Sequence, residues 1–168
     1  MKKCSVVFAM IFGAFPFLAH AQWVTNTDDD IFTNSKKATM MVPINEYSDE
    51  QLFIFDCTKN DLSFAYIEKN KDSSDAKIPV EMIAKVDSGE ILKMDGLTSK
   101  RNDNYYQIGT DDREAIISLL KSAKKAKSKM IVGLNIQQLN IKQSFSASTS
   151  GSTKAIAEFT SACGININ

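Results

Sequence analysis

Histidine is almost missing from this chain: the only one, His20, lies in the N-terminal stretch. Cysteine is scarce (Cys4, Cys57 and Cys163), and arginine is scarcer, with Arg101 and Arg113 alone. Each shortage excludes chemistry. Without imidazole there is no Ser-His-Asp or Cys-His nucleophile system and no general base of that type. Zinc, copper and haem sites lose their usual nitrogen and sulfur ligands, so no metal or other cofactor is expected. Few arginines in a chain with 20 basic and 20 acidic residues argue against a nucleic-acid partner, since Arg forks carry much of that recognition. Internal repeats and long low-complexity tracts are also absent.

One apolar run stands out, and it comes first. Lys2 and Lys3 precede an apolar stretch over residues 6–18, and Ala19-His20-Ala21 puts small residues where a signal peptidase reads them. The run is shorter than the roughly 20 residues a membrane-spanning helix needs. Cys4 lies before the apolar stretch instead of after it, which excludes a lipoprotein site. The pattern predicts a signal peptide over residues 1–21, cleaved between Ala21 and Gln22, and a single exported domain over 22–168 with no transmembrane segment. His20 and Cys4 leave with the signal, as do two of the 20 basic residues, so 18 face 20 acidic ones.

Two cysteines then remain in an oxidising compartment, where Cys57 and Cys163 are most simply a disulfide. The alternative is two separate buried thiols. A bond between them would close a loop of about 105 residues, for which the chain-entropy model gives about 4.7 kcal/mol at the upper end.

Hydrophobic alternation dominates the rest. Residues 22–37 are polar apart from Trp23, Val24, Ile31 and Phe32, and read as a strand or loop closing over the core. Residues 39–44 form a short strand. Gln51–Cys57 is a stronger one, with Phe53, Phe55 and Cys57 alternating with Leu52, Ile54 and Asp56. After a turn at 58–61, residues 62–68 pair back as a hairpin with Leu62, Phe64 and Tyr66 on one face. Residues 69–77 are charged and serine-rich, an exposed loop. Strands follow at 78–86 and 90–94 around the turn Asp87-Ser88-Gly89, then a polar connection at 97–104 and a strand at 105–108.

Asp111 with Glu114 forms a capping box for a helix whose Ile116, Leu119, Leu120 and Ala123 recur at helical spacing. Lys124, Lys125, Lys127 and Lys129 crowd its C-terminal end, where the macrodipole favours cations. Late strands at 130–136 and 141–147 lead to a turn at 148–152. Ser152 then caps a closing helix over 153–162, with Ala155, Ile156 and Phe159 inward. The fold class expected is mainly β, a sandwich or half-barrel, with two short helices in one α+β domain.

Several constellations could carry chemistry, and each has a plain structural explanation. Ser118 with Lys121, and Ser122 with Lys125, fit the S-x-x-K spacing of serine–lysine acyl enzymes. They lie on a Ser- and Lys-rich helix face where an exposed lysine is a poor base. Asp28-Asp29-Asp30 has carboxylates for a hard cation but lacks the spacing of a calcium loop, and reads as an acidic turn. Residues 148–154, Ser-Thr-Ser-Gly-Ser-Thr-Lys, only faintly resemble a phosphate cradle. The lysine run from Lys121 to Lys129 reads as a solvated face, with anionic lipid or an acidic partner as the other reading. Trp23 is expected to plug one end of the core. Asp87 and Glu90 are the clustered carboxylates a hydrolase without histidine would need.

The order of these features resembles a group of small exported proteobacterial proteins, the type VI secretion-associated accessory family and, more loosely, the invasion-associated locus B family. Trp23 after the signal, the strand from Leu52 to Cys57, the hairpin to Tyr66, Ile83-Ala-Lys-Val-Asp87 and the helix from Ile116 to Leu120 carry it. The closing stretch 145–163 is the most specific piece: a phenylalanine strand, a glycine turn, a short helix and a terminal cysteine. The chain lacks a mid-chain tryptophan and has Asp56 before the first cysteine, where an arginine goes with the pattern. The resemblance implies an envelope accessory or binding protein with no catalytic residues to carry over. The function expected is protein–protein contact with another envelope or secreted protein. A periplasmic inhibitor or immunity-type protein and a carboxylate-only hydrolase are the alternatives. N-terminal sequencing of the periplasmic protein should read Gln-Trp-Val; an intact Met1 species in the inner membrane would contradict export with cleavage.

Overall fold

The computed structural model describes residues 22–31, 33–44, 50–70 and 75–167. The export segment with its cleavage at Ala21, Phe32, and residues 71–74 of the serine-rich loop lie outside them. Among the described residues nine strands and two α-helices follow in order: β1 (Val24–Asp30), β2 (Ser35–Pro43), β3 (Gln51–Cys57), β4 (Leu62–Lys69), β5 (Pro79–Val86), β6 (Ile91–Lys100), β7 (Tyr105–Thr110), α1 (Arg113–Lys124), β8 (Lys129–Ile136), β9 (Ile141–Ser148) and α2 (Ser152–Ala162), with a 3-10 turn, Gln137–Leu139, between β8 and β9.

The strands form one sheet in the order β1-β2-β3-β4-β7-β6-β5-β8-β9, antiparallel throughout. It curls into a half-barrel around the two helices, the second of the two β architectures expected. The curl is visible in side chains: Tyr66 on β4 stacks on Phe145 of β9, ring centroids 4.4 Å apart, although four strands separate them in the sheet.

Alternation in the sequence becomes two faces. Phe53, Phe55 and Cys57 of β3 and Leu62, Phe64 and Tyr66 of β4 point inward and are buried. Phe55 and Phe64 pack at 4.6 Å between centroids. Helix α1 lays Ile116, Leu119, Leu120 and Ala123 on this floor, all fully buried. Each large side chain so buried contributes roughly 1.5–3 kcal/mol. Trp23 plugs the core as expected: it stacks on Phe55 at 5.8 Å, and its indole donates to the Ser148 carbonyl at 2.7 Å. Its backbone N–H donates to Ser150, which ties the chain just before β1 to the end of β9.

The structure moves four boundaries. The polar segment after Trp23 is strand: β1 pairs with β2 from Asp30↔Ser35 to Val24↔Met41. The polar connection at 97–104 is in its first half strand: β6 runs to Lys100. Thr98 can sit fully buried there because its hydroxyl donates to the Ala76 carbonyl and accepts from the Ile78 N–H. The cap of α1 is Asp112, whose carboxylate accepts from the Ala115 N–H at 3.1 Å, and Asp111 precedes it. The cap of α2 is Gly151 at φ +79°, a left-handed conformation that glycine adopts freely, which makes Ser152 the first helical residue.

Cys57 and Cys163 are bonded, across a separation of 106 residues. Cys57 ends the inward row of β3, and Cys163 follows α2, whose Ala155, Ile156 and Phe159 are buried as the periodicity predicts. Removing the bond by Cys163→Ala is expected to cost about 2–5 kcal/mol, read as a lowered denaturation midpoint. An unchanged midpoint would show that packing alone holds α2.

Candidate functional site

The residues singled out from the sequence lie in separate parts of the fold. Ser118, Lys121, Ser122 and Lys125 are all exposed on or next to α1, and the Ser122 hydroxyl donates to the Ser118 carbonyl at 3.0 Å. Asp28, Asp29 and Asp30 lie in a strand and not in a turn. Asp29 meets Lys36 at 3.5 Å, and Asp30 accepts from the Thr33 hydroxyl at 2.6 Å. No cluster of three or more metal-ligating side chains occurs among the described residues. In the 148–154 turn, Ser152 donates to the Ala123 carbonyl and Thr153 to that of Lys124. Those hydroxyls tie the start of α2 to the end of α1. The lysine run is split: Lys121 and Lys124 lie in α1, Lys125 caps it, and Lys129 opens β8.

Asp87 has a different job from the one its neighbour Glu90 suggested. Its carboxylate accepts the backbone N–H groups of Lys127, Ser128 and Lys129 at 2.8, 3.1 and 2.9 Å. The amide of Lys127, then that of Lys129, does most to hold the Asp87 pKa below its usual value. A carboxylate so committed is a poor proton donor and a hindered nucleophile. Tyr66, by contrast, is held protonated: burial first, then the Glu68 carboxylate it donates to at 2.6 Å, pushes its pKa far up.

The feature that alternation alone did not expose lies on the outer face of the sheet. Strand register aligns Val24, Met41, Ile54, Ala65, Gly109, Leu97 and Pro79 in one row crossing seven strands. Every member is apolar or glycine. Ile54 and Ala65, with Ile67 beside them, are buried as a small second cluster. Leu97 is 48% exposed, and Pro79 is exposed too.

Two shallow cavities open along this row. One, of about 310 Å³, has Ala65, Gly109 and Leu97 in its lining, with Asp95, Asp111, Ser99, Arg101 and Gln107 around them. The other, of about 490 Å³, includes Pro79, Glu81, Asn135 and Gln138. Asp95 and Leu97 line both, so the two adjoin, and the pair is taken together as one groove across the strands. Gly109 keeps the floor low: a Cβ there would lie 3.2 Å from that of Ala65.

The banks differ. On one side of the apolar row the register sets Asp56, Ser63, Asp95, Glu81 and Asn135, with Asp111 just past the end of β7. Ser99 and Gln107 stand on the other. Arg101 spans them: it donates to Asp56 at 2.9 Å and to the Gln107 amide oxygen at 3.2 Å. Thr39 donates to the second Asp56 oxygen at 2.7 Å, and Gln107 donates to Ser99 at 3.0 Å. Five polar side chains on β2, β3, β7 and β6 and just beyond it are thus held in one network. The sequence signals for this network are Arg101, one of two arginines, and Asp56, a charge in an otherwise apolar strand. No protein-family model, curated protein or solved structure matches the chain.

The Asp87 clamp predicts a pH dependence. Folding lowers this carboxyl's pKa, so its stabilisation is complete above the unfolded aspartate value of about 4 and is lost as pH falls through the folded value. Melting temperatures of the wild type and Asp87→Asn should therefore differ most at neutral pH and converge in acid. A constant difference would assign the effect of the substitution to something other than the charge.

Proposed function

We propose that this chain is an exported, non-enzymatic protein that binds another component of the cell envelope through the outer-face groove. The observation that carries the reading is the exposed part of the apolar row, Leu97 and Pro79, flanked by a fixed polar network. An outer sheet face that only met water would alternate to polar residues along each strand, yet Leu97 and Pro79 stand open beside side chains held in place by Arg101. Such a surface has the form of a recognition site: apolar area to bury, with ordered polar groups at its rim.

Three further features support it. The Cys57–Cys163 bond suits an oxidising compartment. The N-terminal sequence has the order of an export signal and leads directly into Gln22 and Trp23. The resemblance of the closing stretch to small exported accessory proteins points to the same role. Protein–protein contact in the periplasm joins these features with the least additional chemistry.

A photo-reactive residue placed at position 97 tests this in living cells. A discrete adduct with one envelope protein is expected, absent when the same residue replaces Ile91, which is 58% exposed on the same sheet face outside the groove. No adduct at position 97, or the same adduct from both positions, would refute the groove as the binding surface.

A further inference from the structure

The groove's banks carry information about what it binds, and the following rests on the groove being the binding surface. We infer that its occupant is an extended protein segment in which lysine or arginine alternates with apolar residues. Charge is the first ground. Asp95, Asp111 and Glu81 line the groove, and Asp56 holds its end, against two cations, Lys77 and Arg101. Arg101 is already matched by Asp56 in an ion pair of 2.9 Å. Among the described residues neither Asp95 nor Asp111 has an ion-pair partner, and both are exposed. Glu81 accepts one bond, from the Asn135 amide at 2.9 Å. A phosphate-bearing lipid or nucleic acid would meet these carboxylates with its own charge, whereas a cationic side chain gains from them.

The second ground is the floor. Ala65, Gly109, Leu97 and Pro79 offer no hydrogen-bonding side chain, so an occupant carrying cations alone would leave this row without a complement. An extended chain points successive side chains to opposite sides. Laid across the strands, it can set apolar residues onto the floor, while the alternate lysines or arginines, pointing away from it, bend on their long flexible stems toward the acidic bank. On the other bank Ser99 and Gln107 can meet backbone polar groups, and Lys77 is the one cation of the groove lining besides Arg101.

Length is the third ground. From β4 to β8 the groove crosses four inter-strand spacings, roughly 19 Å at about 4.8 Å each. About six extended residues cover that distance at roughly 3.3 Å per residue. The occupant is therefore a short segment, of the size a loop or terminus of a partner protein can present.

The test uses the domain beginning at Gln22 and three fluorescent hexapeptides: alternating valine–lysine, alternating valine–glutamate, and all-lysine. Fluorescence anisotropy should show the valine–lysine peptide binding at least about tenfold more tightly than either of the others. Asp95→Lys should weaken it by about tenfold or more, and added salt should weaken it further. Leu97→Ser should reduce the advantage over the all-lysine peptide. Ile91→Lys, outside the groove, should change affinity by less than about twofold. Melting curves of each variant establish that the fold is intact. Equal binding of valine–lysine and all-lysine peptides would reduce the groove to a nonspecific acidic patch and overturn the inference. So would equal binding of the valine–glutamate peptide, or indifference to Asp95→Lys in a folded variant. If the cross-link from position 97 persists while no peptide binds, the partner chemistry is refuted and the binding role stands; loss of both refutes both.

Discussion

Helix α2 has eleven residues, too few to keep its shape alone in water, yet one end of the sheet leans on it. The Thr25 hydroxyl of β1 donates to the Ala155 carbonyl, and Phe159 meets the edge of Phe55 at 6.4 Å. The Cys57–Cys163 bond is what makes this dependence workable. It fixes the end of α2 to the inward row of β3, so Ala155, Ile156 and Phe159 have a floor whenever β3 is in the sheet. Ser152 and Thr153 secure the other end to the last carbonyls of α1. A helix held at both ends can then serve as the support on which β1 and β2 curl.

That curl separates two faces with different duties. The inward face is packed with few polar side chains, and four buried hydroxyls have partners: Thr98 with Ala76 and Ile78, Thr110 with the Asp112 N–H, Ser152 with the Ala123 carbonyl and Thr160 with that of Ile156. The outward face needs no such filling. Part of its apolar row packs with Ile67 as a small cluster, Leu97 and Pro79 stay exposed, and Arg101 reaching toward Asp56 over the intervening strands orders what borders them. The disulfide lies on the β3 side, and the accessible apolar area on the β5–β6 side.

The sequence made much of this fold legible. Alternation placed Phe53, Phe55, Phe64 and Tyr66 on one face, helical spacing found the α1 stripe, and two cysteines gave the staple. Local chemistry was harder. Asp111 and Asp112 are adjacent equals as helix caps until the β7 ladder fixes where the strand ends. Thr98 read as loop because a buried hydroxyl in a strand needs partners that lie 20 and 22 residues away. The groove was the least legible element. Its floor takes one residue from each of several strands, so Ala65, Gly109 and Leu97 look unremarkable until register aligns them. The pairing of β4 with β7 cannot be read from any turn.

The same difficulty faces the chain as it folds, and the Asp87 clamp bears on it. Strands β5 and β8 pair without a hairpin between them, from Glu81↔Asn135 to Val86↔Met130. No tight turn therefore sets their alignment, and a slip of one position would turn Met130, Val132 and Leu134 out of the core. Asp87 stands directly after β5 and grips the three amides that lead into β8. It works as an alignment pin, measuring the chain from a fixed point so that β8 begins in phase. A residue inserted between Lys127 and Met130 would draw these amides off the carboxylate and start β8 out of phase.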